Sequence, residues 1–328
     1  MRESPSITVV GAGAIGGAIA FALDRAGYAP KLLARGATLA ALNRDGLRVE
    51  GPLFAGVARV EASADPALFG VQDLVIGTLK AQDWPAALPS LNALVGPETV
   101  LLPVLNGVPW WYFDGVSGPL GGMAVDTVDP EGALMAALPA RRVVGSVVYM
   151  GVTRLAPAVI DWSGGNRVIL GEAAGPPQER TERVAEMLRT AGFRAGVSDD
   201  IRGEIWAKLL GNAACNPLSV IARARMDEIM GEAGLNAVAL AAMHEVAAVA
   251  AAVGAPSPMS VEERHRMNAE LGRFRTSMLQ DFEAGRALEL GALVDAVTEI
   301  GARLAVPTPM TAALGALARR AAALREGV

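Results

Sequence analysis

The sequence predicts an α/β domain built on a doubly wound parallel sheet, followed by an all-α domain. In the first part of the chain, short β-rich runs alternate with helical stretches, which is the pattern of parallel strands joined by crossover helices. After Asp199 and Asp200 the strand signals end, and the rest of the chain has helical patterns. The length of 328 residues is enough for two domains, and we expect them at 1–199 and 200–328.

The elements of the first domain follow one another in short units. Strands are predicted at 7–10, 31–34, 73–78 and 99–105, short extended pieces at 47–50 and 57–61, and helices at 14–26 and 86–95. Consecutive strands joined by Gly-rich turns, more antiparallel than parallel, are predicted at 143–153, 158–162 and 167–170. A helix at 178–190 and a strand at 193–197 complete the domain.

The second domain is expected to be helical throughout. An Ala-rich stretch at 236–254 has a histidine and a glutamate in its middle, so it predicts a buried helix of a soluble protein. Ser260 and Glu263 form the pattern of a helix capping box. Apolar residues spaced by three and four predict an amphipathic helix over 290–304, and two prolines separate it from a last helix.

The composition excludes several classes of protein. The net charge is −5 and the basic residues form no dense cluster, so we expect no nucleic-acid partner. A single cysteine, Cys215, excludes an intramolecular disulfide and fits the reducing cytoplasm; no histidine adjoins it to lower its pKa, so it is interpreted as a packing residue. The two histidines, His244 and His265, stand apart, so no metal site is expected.

The uncharged run at 4–23 has nearly the length of a membrane span. Four glycines interrupt it, and no basic segment leads into an unbroken apolar core. We therefore expect neither a signal peptide nor a membrane anchor.

A glycine-rich motif begins directly after the first predicted strand. The sequence Gly11-Ala12-Gly13-Ala14-Ile15-Gly16 has the spacing G-x-G-x-x-G and opens a helix. In a Rossmann-type fold the first glycine makes a tight turn, the second lets the backbone approach a pyrophosphate, and the third lets the helix pack close to the sheet. The helix N-terminus offers N–H groups to the phosphates. The residues expected to contact the cofactor are Gly11, Gly13, Ala14, Ile15 and Gly16.

Arg35 indicates which dinucleotide is bound. Enzymes that use NAD place an acidic residue about 20 residues after the glycines, on the ribose 2′-hydroxyl. Here no acid stands between Asp24 and Asp45, and Arg35 follows the second strand. Because a guanidinium pairs well with a 2′-phosphate, the sequence favours NADP(H) over NAD(H). A solvated surface charge is the alternative for Arg35.

Two further polar residues follow predicted strands. Lys80 and Asn106 each lie just beyond a strand, at the edge of a parallel sheet where ligands bind. They are candidates for the cofactor site by position. An ordinary lysine at the start of a helix is the alternative for Lys80.

One helical segment of the second domain has a polar face among apolar residues. Lys208, Asn212 and Asn216 are spaced by four residues and share one face while the helix lasts. Pro217 is expected to bend or end this helix. A lysine beside two carboxamides is suited to donate a hydrogen bond to an oxygen, and a solvent-facing stripe is the alternative.

Five motifs together resemble the ketopantoate reductase (2-dehydropantoate 2-reductase) family over nearly the whole chain. They are V-V-G-A-G-A-I-G-G at 9–17, T-L-K-A at 78–81, L-N-G at 105–107, W-A-K-L-L-G-N-A-A-C-N-P-L at 206–218 and S-M-L-Q-D-F-E-A-G-R-A-L-E-L at 277–290. The resemblance implies a Rossmann domain that binds NADPH, then a helical domain. It also implies reduction of 2-oxopantoate to D-pantoate, on the route to pantothenate and coenzyme A, with a homodimer as an open option.

The resemblance assigns roles to individual residues. Lys208 is implied as the catalytic lysine and Glu289 as the carboxylate that works with it. The substrate-binding residues implied are Asn106, Asn212, Asn216 and Ser277, and Lys80 and Asn106 are implied near the cofactor. The chemistry of the reaction supports the role of Lys208, because hydride transfer to a keto carbon leaves an alkoxide that a lysine ammonium can stabilise and protonate.

The chain departs from the family pattern in two places. An Asp and an Asn-Gly that commonly follow the glutamate are replaced by Gly291, Val294 and Asp295, so the hydroxymethyl end of the substrate would be recognised differently. The bulky run at 109–113 is either a hydrophobic loop packed on the sheet or a lid over the substrate. A paralogous NADPH-dependent reductase of another 2-oxo acid and a non-catalytic NADP(H)-sensing protein therefore stay open as alternatives.

Overall fold

The computed structural model of the chain describes residues 5–326. Two compact units make up the molecule. Unit 1 contains the chain up to Leu105 together with Asp114–Val116 and Leu134–Ile201, and unit 2 contains Asn106–Phe113, Ser117–Ala133 and the chain from Arg202 onward. The last point at which the chain passes from unit 1 to unit 2 lies between Ile201 and Arg202, next to the expected boundary at 199/200. The expected single boundary does not account for the two loop segments after Leu105, which belong to unit 2.

Unit 1 alternates strands and helices in its first half and pairs long strands in its second. Its elements are β1 (Ile7–Val10), α1 (Ala14–Arg25), β2 (Lys31–Leu33), α2 (Gly36–Asp45), β3 (Leu47–Glu50), β4 (Gly56–Ala58), β5 (Glu61–Ser63), β6 (Leu74–Gly77), α3 (Trp84–Leu94), β7 (Val100–Pro103), α4 (Ala133–Ala137, whose first residue belongs to unit 2), β8 (Val144–Ala156), β9 (Val159–Glu172), α5 (Glu179–Thr190) and β10 (Arg194–Val197). The sequence patterns do not predict α2, which buries only Ala41 and Leu42.

The first sheet has five parallel strands in the order β5-β2-β1-β6-β7. The central strand β1 is buried along its whole length. The chain moves outward from β1 to β2 on one side and to β6 on the other, so the sheet is doubly wound, as the sequence predicts. This arrangement puts the switch in strand order at the carboxyl end of β1, where ligands bind in such sheets.

The second sheet combines parallel and antiparallel pairs in the order β10-β9-β3-β4, with β8 antiparallel to β9. The predicted strands at 158–162 and 167–170 are one strand, β9. The glycines between them do not make a turn, because β9 stays paired with β8 across them and its extra residues opposite Tyr149–Val152 form a bulge. Gly17 of α1 packs against Ile160 of β9, which puts α1 against this sheet.

Unit 2 is built from helices. They are α6 (Ile201–Ala222), α7 (Met226–Gly231), α8 (Ala233–Val253), α9 (Val261–Glu270), α10 (Ser277–Glu283), a π-helical turn (Gly291–Asp295), α11 (Ala296–Arg303) and α12 (Pro309–Glu326). The sequence predicts that Pro217 bends or ends its helix. It does not end the helix, because α6 continues five residues beyond it to Ala222. Leu218 and Val220 beyond the proline are buried, and this packing outweighs the hydrogen bond that proline cannot donate.

The Ala-rich helix α8 is buried along one face only, through residues such as Met243 and Val246. The remaining surface of α8 is partly or fully exposed, so the expectation of a buried helix is met only in part. Within the described chain, α8 alone is long and apolar enough to cross a membrane, and core helices of soluble proteins pass the same test. The carboxylate of Glu245, in the middle of α8, accepts hydrogen bonds from the backbone N–H groups of Met310 (2.9 Å) and Thr311 (2.8 Å) at the start of α12.

Candidate active site

The glycine loop of unit 1 has a tight turn and an open backbone at its centre. Gly11 has a positive φ of +101°, and Gly13 precedes α1 in an extended conformation. A Cβ at Gly13 would meet no atom within 4 Å, so this part of the loop is open to a ligand. A Cβ at Gly16 would collide with the Gly11 carbonyl oxygen and the Thr78 hydroxyl. Gly16 therefore allows the close approach of helix and loop, and Ala14 and Ile15 form the first turn of α1.

The end of strand β6 holds this loop in place through Thr78. Its Oγ1 donates to the carbonyl oxygens of Val10 (3.1 Å) and Gly11 (2.8 Å). On the other side, the Gly11 N–H donates to the Leu33 carbonyl oxygen (3.2 Å) at the end of β2. The loop is thus fixed by both neighbouring strands before any ligand binds, which lowers the entropic cost of binding.

Arg35 and Lys80 follow these same strands. Arg35 is exposed and lies two residues beyond Leu33, at the residue that precedes α2. Lys80 is partly buried and precedes a short 3₁₀ turn, two residues after Thr78. Unit 1 therefore presents both cations next to strand ends that contact the glycine loop. No side chain among the described residues caps the N-terminus of α1, which leaves its N–H groups for an anionic group such as a phosphate.

Helix α6 of unit 2 presents Lys208, Asn212 and Asn216 along one face. The helix is continuous through all three, so the four-residue spacing holds. Lys208 and Asn212 are partly buried, and Asn216 is 5% exposed. The face is therefore buried at Asn216 and only partly exposed at Lys208 and Asn212, which argues against the solvent-facing stripe that the sequence left open.

The environment of Lys208 changes its acidity. The pKa of Lys208 is lowered to about 7, chiefly by burial and also by the positive charge of Arg264, while the carboxylate of Glu289 opposes this shift. An amine with a pKa near neutrality exists in both protonation states under physiological conditions, which suits a group that gives up a proton. Lys208 and Glu289 are thus close enough for their charges to interact.

The segment that carries Glu289 is joined to the loop that carries Asn106. The π-helical turn begins two residues after Glu289, and its Ala292 carbonyl oxygen accepts a hydrogen bond from the Val108 N–H (2.9 Å). Gly107, with φ +89°, lies against Ala292. π-Helical turns occur often at functional sites, and here the turn fixes Asn106 within the unit that contains Lys208.

Ser277 is the first residue of α10 and is exposed. The preceding residue, Thr276, shares a hydrogen bond of 2.6 Å with Ser219 of α6. Ser219 in turn donates to the carbonyl oxygen of Asn216 (2.7 Å). Two hydrogen bonds thus join Thr276, the residue before Ser277, to the backbone of α6 at Asn216.

The aromatic run after Asn106 is packed into unit 2 and does not form a lid. Trp110, Trp111, Tyr112 and Phe113 are each at most 1% exposed. The Trp206 Nε1–H donates to the Tyr112 hydroxyl (2.6 Å), and Arg202 donates to the Tyr112 carbonyl oxygen (2.7 Å). The loop therefore packs on the first turns of α6, close in sequence to Lys208.

Sequence patterns missed Arg264 and the role of Thr78. Arg264 is a buried arginine of α9 outside every motif that we recognised. The scarcity of lysine also marks Lys208, since the chain has only three lysines, Lys31, Lys80 and Lys208, among 29 basic residues. Burial raises the pKa of Cys215 to about 12, so its thiol stays neutral, as a packing residue does. Among the described residues, no cluster of His, Cys, Asp or Glu is arranged to hold a metal ion.

Comparisons with known proteins agree along the chain. The family model for ketopantoate reductase PanE/ApbA matches residues 7–175, and the model for its C-terminal part matches residues 200–322. The chain is 42% identical to a 2-dehydropantoate 2-reductase of Mesorhizobium japonicum, with 97% of this chain and 98% of that protein covered. It is 31% identical to the enzyme of the same name from Archaeoglobus fulgidus, covering 92% and 93% of the two chains.

Solved structures give the same result. A candidate ketopantoate reductase from Ralstonia solanacearum superposes with a TM-score of 0.93 at 40% identity, with 99% of each chain covered. A D-mandelate dehydrogenase with NADH and anilino(oxo)acetate bound has the same fold, with a TM-score of 0.84 at 21% identity, covering 97% and 98%. The chain belongs to the ketopantoate reductase family.

Proposed function

We propose that this protein catalyses the NADPH-dependent reduction of 2-dehydropantoate (ketopantoate) to D-pantoate, a step toward pantothenate and coenzyme A. The observation that carries the proposal is a lysine on the polar face of α6 that has a pKa near 7 and interacts electrostatically with the Glu289 carboxylate. A lysine with this pKa can donate a proton at neutral pH, and its charge attracts a 2-oxo acid. NADPH supplies the hydride that the keto carbon accepts.

The residues of unit 1 fit the cofactor. Gly11, Gly13 and Gly16 leave the space that a pyrophosphate needs, and the N–H groups of Ala14 and Ile15 at the start of α1 would face it. Arg35 would pair with the 2′-phosphate that distinguishes NADPH from NADH. We propose Lys80 and Asn106 as further contacts to the cofactor.

On the substrate side, Lys208 would protonate the oxygen that becomes the hydroxyl of the product. Its ammonium also stabilises the negative charge that develops on this oxygen. Glu289 would favour the protonated lysine and orient it. We propose that Asn106, Asn212, Asn216 and Ser277 hold the polar groups of the substrate, with Ser277 at its carboxylate.

A second candidate is the reduction of a different 2-oxo acid by the same chemistry. It is favoured by the π-helical turn, where the family commonly has polar residues. Val294 is fully buried there, Gly291 has no side chain, and the carboxylate of Asp295 accepts a hydrogen bond from Arg319 (2.5 Å). None of the three offers a group committed to a substrate hydroxymethyl, so another side chain in the substrate would be tolerated.

The decisive test is an assay of the purified protein with NADPH and ketopantoate, followed by the absorbance of NADPH at 340 nm. Consumption of NADPH and formation of D-pantoate support the first candidate. Consumption only with another 2-oxo acid, branched or aromatic, supports the second. Tight binding of NADPH without turnover on any 2-oxo acid would contradict both and favour the sensing protein.

We also propose a cytoplasmic location, since the reaction draws on the cellular NADPH pool and the single thiol, Cys215, is buried and unbridged. The proposed partners are small molecules, without nucleic acid or membrane, and a homodimer stays open. The proposed division into a cofactor domain at 1–199 and a catalytic domain at 200–328 follows the same assignment of roles.

A further inference from the structure

Arg264 is a charged residue buried in unit 2, with 7% of its surface exposed. Arginine is rarely buried to this extent, because removing its charge from water is costly unless other groups compensate. A protein that keeps such a residue has a packing or an electrostatic use for it. The surroundings of Arg264 show which.

The start of α9 fixes the position of Arg264. Ser260 and Glu263 form the predicted capping box: the Glu263 N–H donates to Ser260 Oγ (3.1 Å), and the Ser260 N–H donates to the Glu263 carboxylate (2.8 Å). Arg264 follows directly, and its own N–H donates to the Ser260 carbonyl oxygen (3.0 Å). The Arg264 side chain therefore projects from a helical turn that both hydrogen bonds of the capping box hold in place.

The guanidinium of Arg264 lies directly on the backbone of α6. A Cβ at Gly211 would be 2.5 Å from its Nε and 2.6 Å from its Nη2, so only glycine leaves room for it. One turn further on, the Asn268 amide is 3.6 Å from the Cys215 sulfur. Gly211 and Cys215 are four residues apart on α6, and Arg264 and Asn268 are four residues apart on α9. The two helices therefore run side by side over this turn.

Gly211 lies three residues after Lys208 and one before Asn212, on the same side of α6. The guanidinium thus lies beside the turn that carries the proposed proton donor. The charged groups that act on the Lys208 ammonium from the elements packed around it are Arg264 of α9 and Glu289 before the π-helical turn. On α6 itself, Glu204 is one turn earlier, and the Cys215 thiol is neutral.

We propose that Arg264 is a positioning residue of the reductase, which holds a fixed positive charge against Gly211 and acts on the reaction through the Lys208 ammonium. The proposal rests on the proposed function. A nearby cation favours the neutral amine, so Arg264 makes Lys208 a stronger acid and opposes Glu289. Arg264 and Lys208 together carry more positive charge than Glu289 neutralises. The remaining positive charge attracts an anionic substrate.

The test compares Arg264→Met, which removes the charge and keeps much of the volume, with Arg264→Lys, which keeps the charge. The readout is the pH dependence of kcat/KM with NADPH and ketopantoate, which reports the ionisations of the free enzyme. In Arg264→Met the loss of activity on the alkaline side should move up by about one pH unit. Arg264→Lys should stay close to the wild type, as should Arg266→Met, which removes an exposed charge of α9.

A purely structural role for Arg264 would lower the rate at every pH without moving the profile, and that result would overturn the proposal. An equal shift in the Met and Lys variants would also overturn it, because packing and not charge would then be responsible. If Arg264→Met does not fold, Arg264→Gln replaces it under the same expectations.

A second readout does not depend on turnover. The three lysines can be dimethylated with ¹³C-formaldehyde and titrated by NMR, with Lys31→Arg and Lys80→Arg assigning the signals. The midpoint of the Lys208 signal should rise by about one unit in Arg264→Met. An unchanged midpoint contradicts the role of Arg264. Failure of the wild type to reduce ketopantoate contradicts the proposed function only, and the titration still decides the role of Arg264.

Discussion

The Val108 N–H donates to the Ala292 carbonyl oxygen over 2.9 Å, and this bond joins the two segments that carry Asn106 and Glu289. Ala292 lies in the π-helical turn, and the intervening Gly107 lies against it with φ +89°. A Cβ at Gly107 would overlap with the Ala292 carbonyl group. The asparagine and the glutamate of the proposed site thus depend on one glycine for their relative position.

We expect Gly107→Ala to lower kcat/KM by roughly 10- to 100-fold, because the clash must move Asn106 or the turn after Glu289. This loss of kcat/KM is measured by steady-state kinetics with NADPH and ketopantoate. The control is Gly254→Ala, since Gly254 also has a positive φ (+84°) but its Cβ would meet no atom within 4 Å. Both variants carry backbone strain of about 1–3 kcal/mol, seen as a lower thermal midpoint. Similar activity in the two variants would show that the Gly107 contact does not position the site.

Replacing Lys208 tests its role as proton donor. Lys208→Ala should lower turnover by about 10² to 10⁴, the usual weight of a general acid, while NADPH binding persists because the glycine loop belongs to unit 1. Turnover is followed at 340 nm and binding by NADPH fluorescence. Lys31→Ala, which removes a lysine that lies over the Phe69 ring, should keep wild-type turnover. Full activity in Lys208→Ala would remove this residue from the mechanism.

Glu289 raises the pH at which Lys208 loses its proton, against the larger effect of burial. The wild-type kcat/KM should fall as the pH rises through about 7, because the protonated lysine is the acid. The Glu289 carboxylate favours the protonated form, so Glu289→Gln should lower the pKa of Lys208 and move this decline to lower pH. The pH profile of kcat/KM checks the direction. An alkaline shift in Glu289→Gln would show that the carboxylate acts through some other group.

The sequence predicted the first sheet because its strands are short, apolar and separated by helices, and each signal is local. It also predicted the polar face of α6, since three residues spaced by four need only a continuous helix. Arg264 could not be predicted, because its contact with Gly211 joins residues 53 positions apart and depends on how α9 packs. The π-helical turn was missed for a similar reason: its free carbonyl group is satisfied by Val108, far away in the chain. The merging of two predicted strands into β9 depends on a bulge that β9 forms against its partner β8, which a single-strand pattern does not reveal.

Arg35 should decide between the two dinucleotides. It is exposed just beyond β2, whose Leu33 carbonyl oxygen binds the Gly11 N–H of the glycine loop. A guanidinium–phosphate pair contributes about 1.5–3 kcal/mol, so Arg35→Asp should weaken NADPH binding by about 10- to 100-fold. Binding of NADH, which has no 2′-phosphate, should change little. Titration calorimetry with both cofactors measures the ratio. Arg154→Asp makes the same charge change at an exposed residue of β8 and should leave both affinities unchanged. Equal losses for NADPH and NADH in Arg35→Asp would mean that the guanidinium does not contact the 2′-phosphate, and the preference for NADPH would then have to come from another residue.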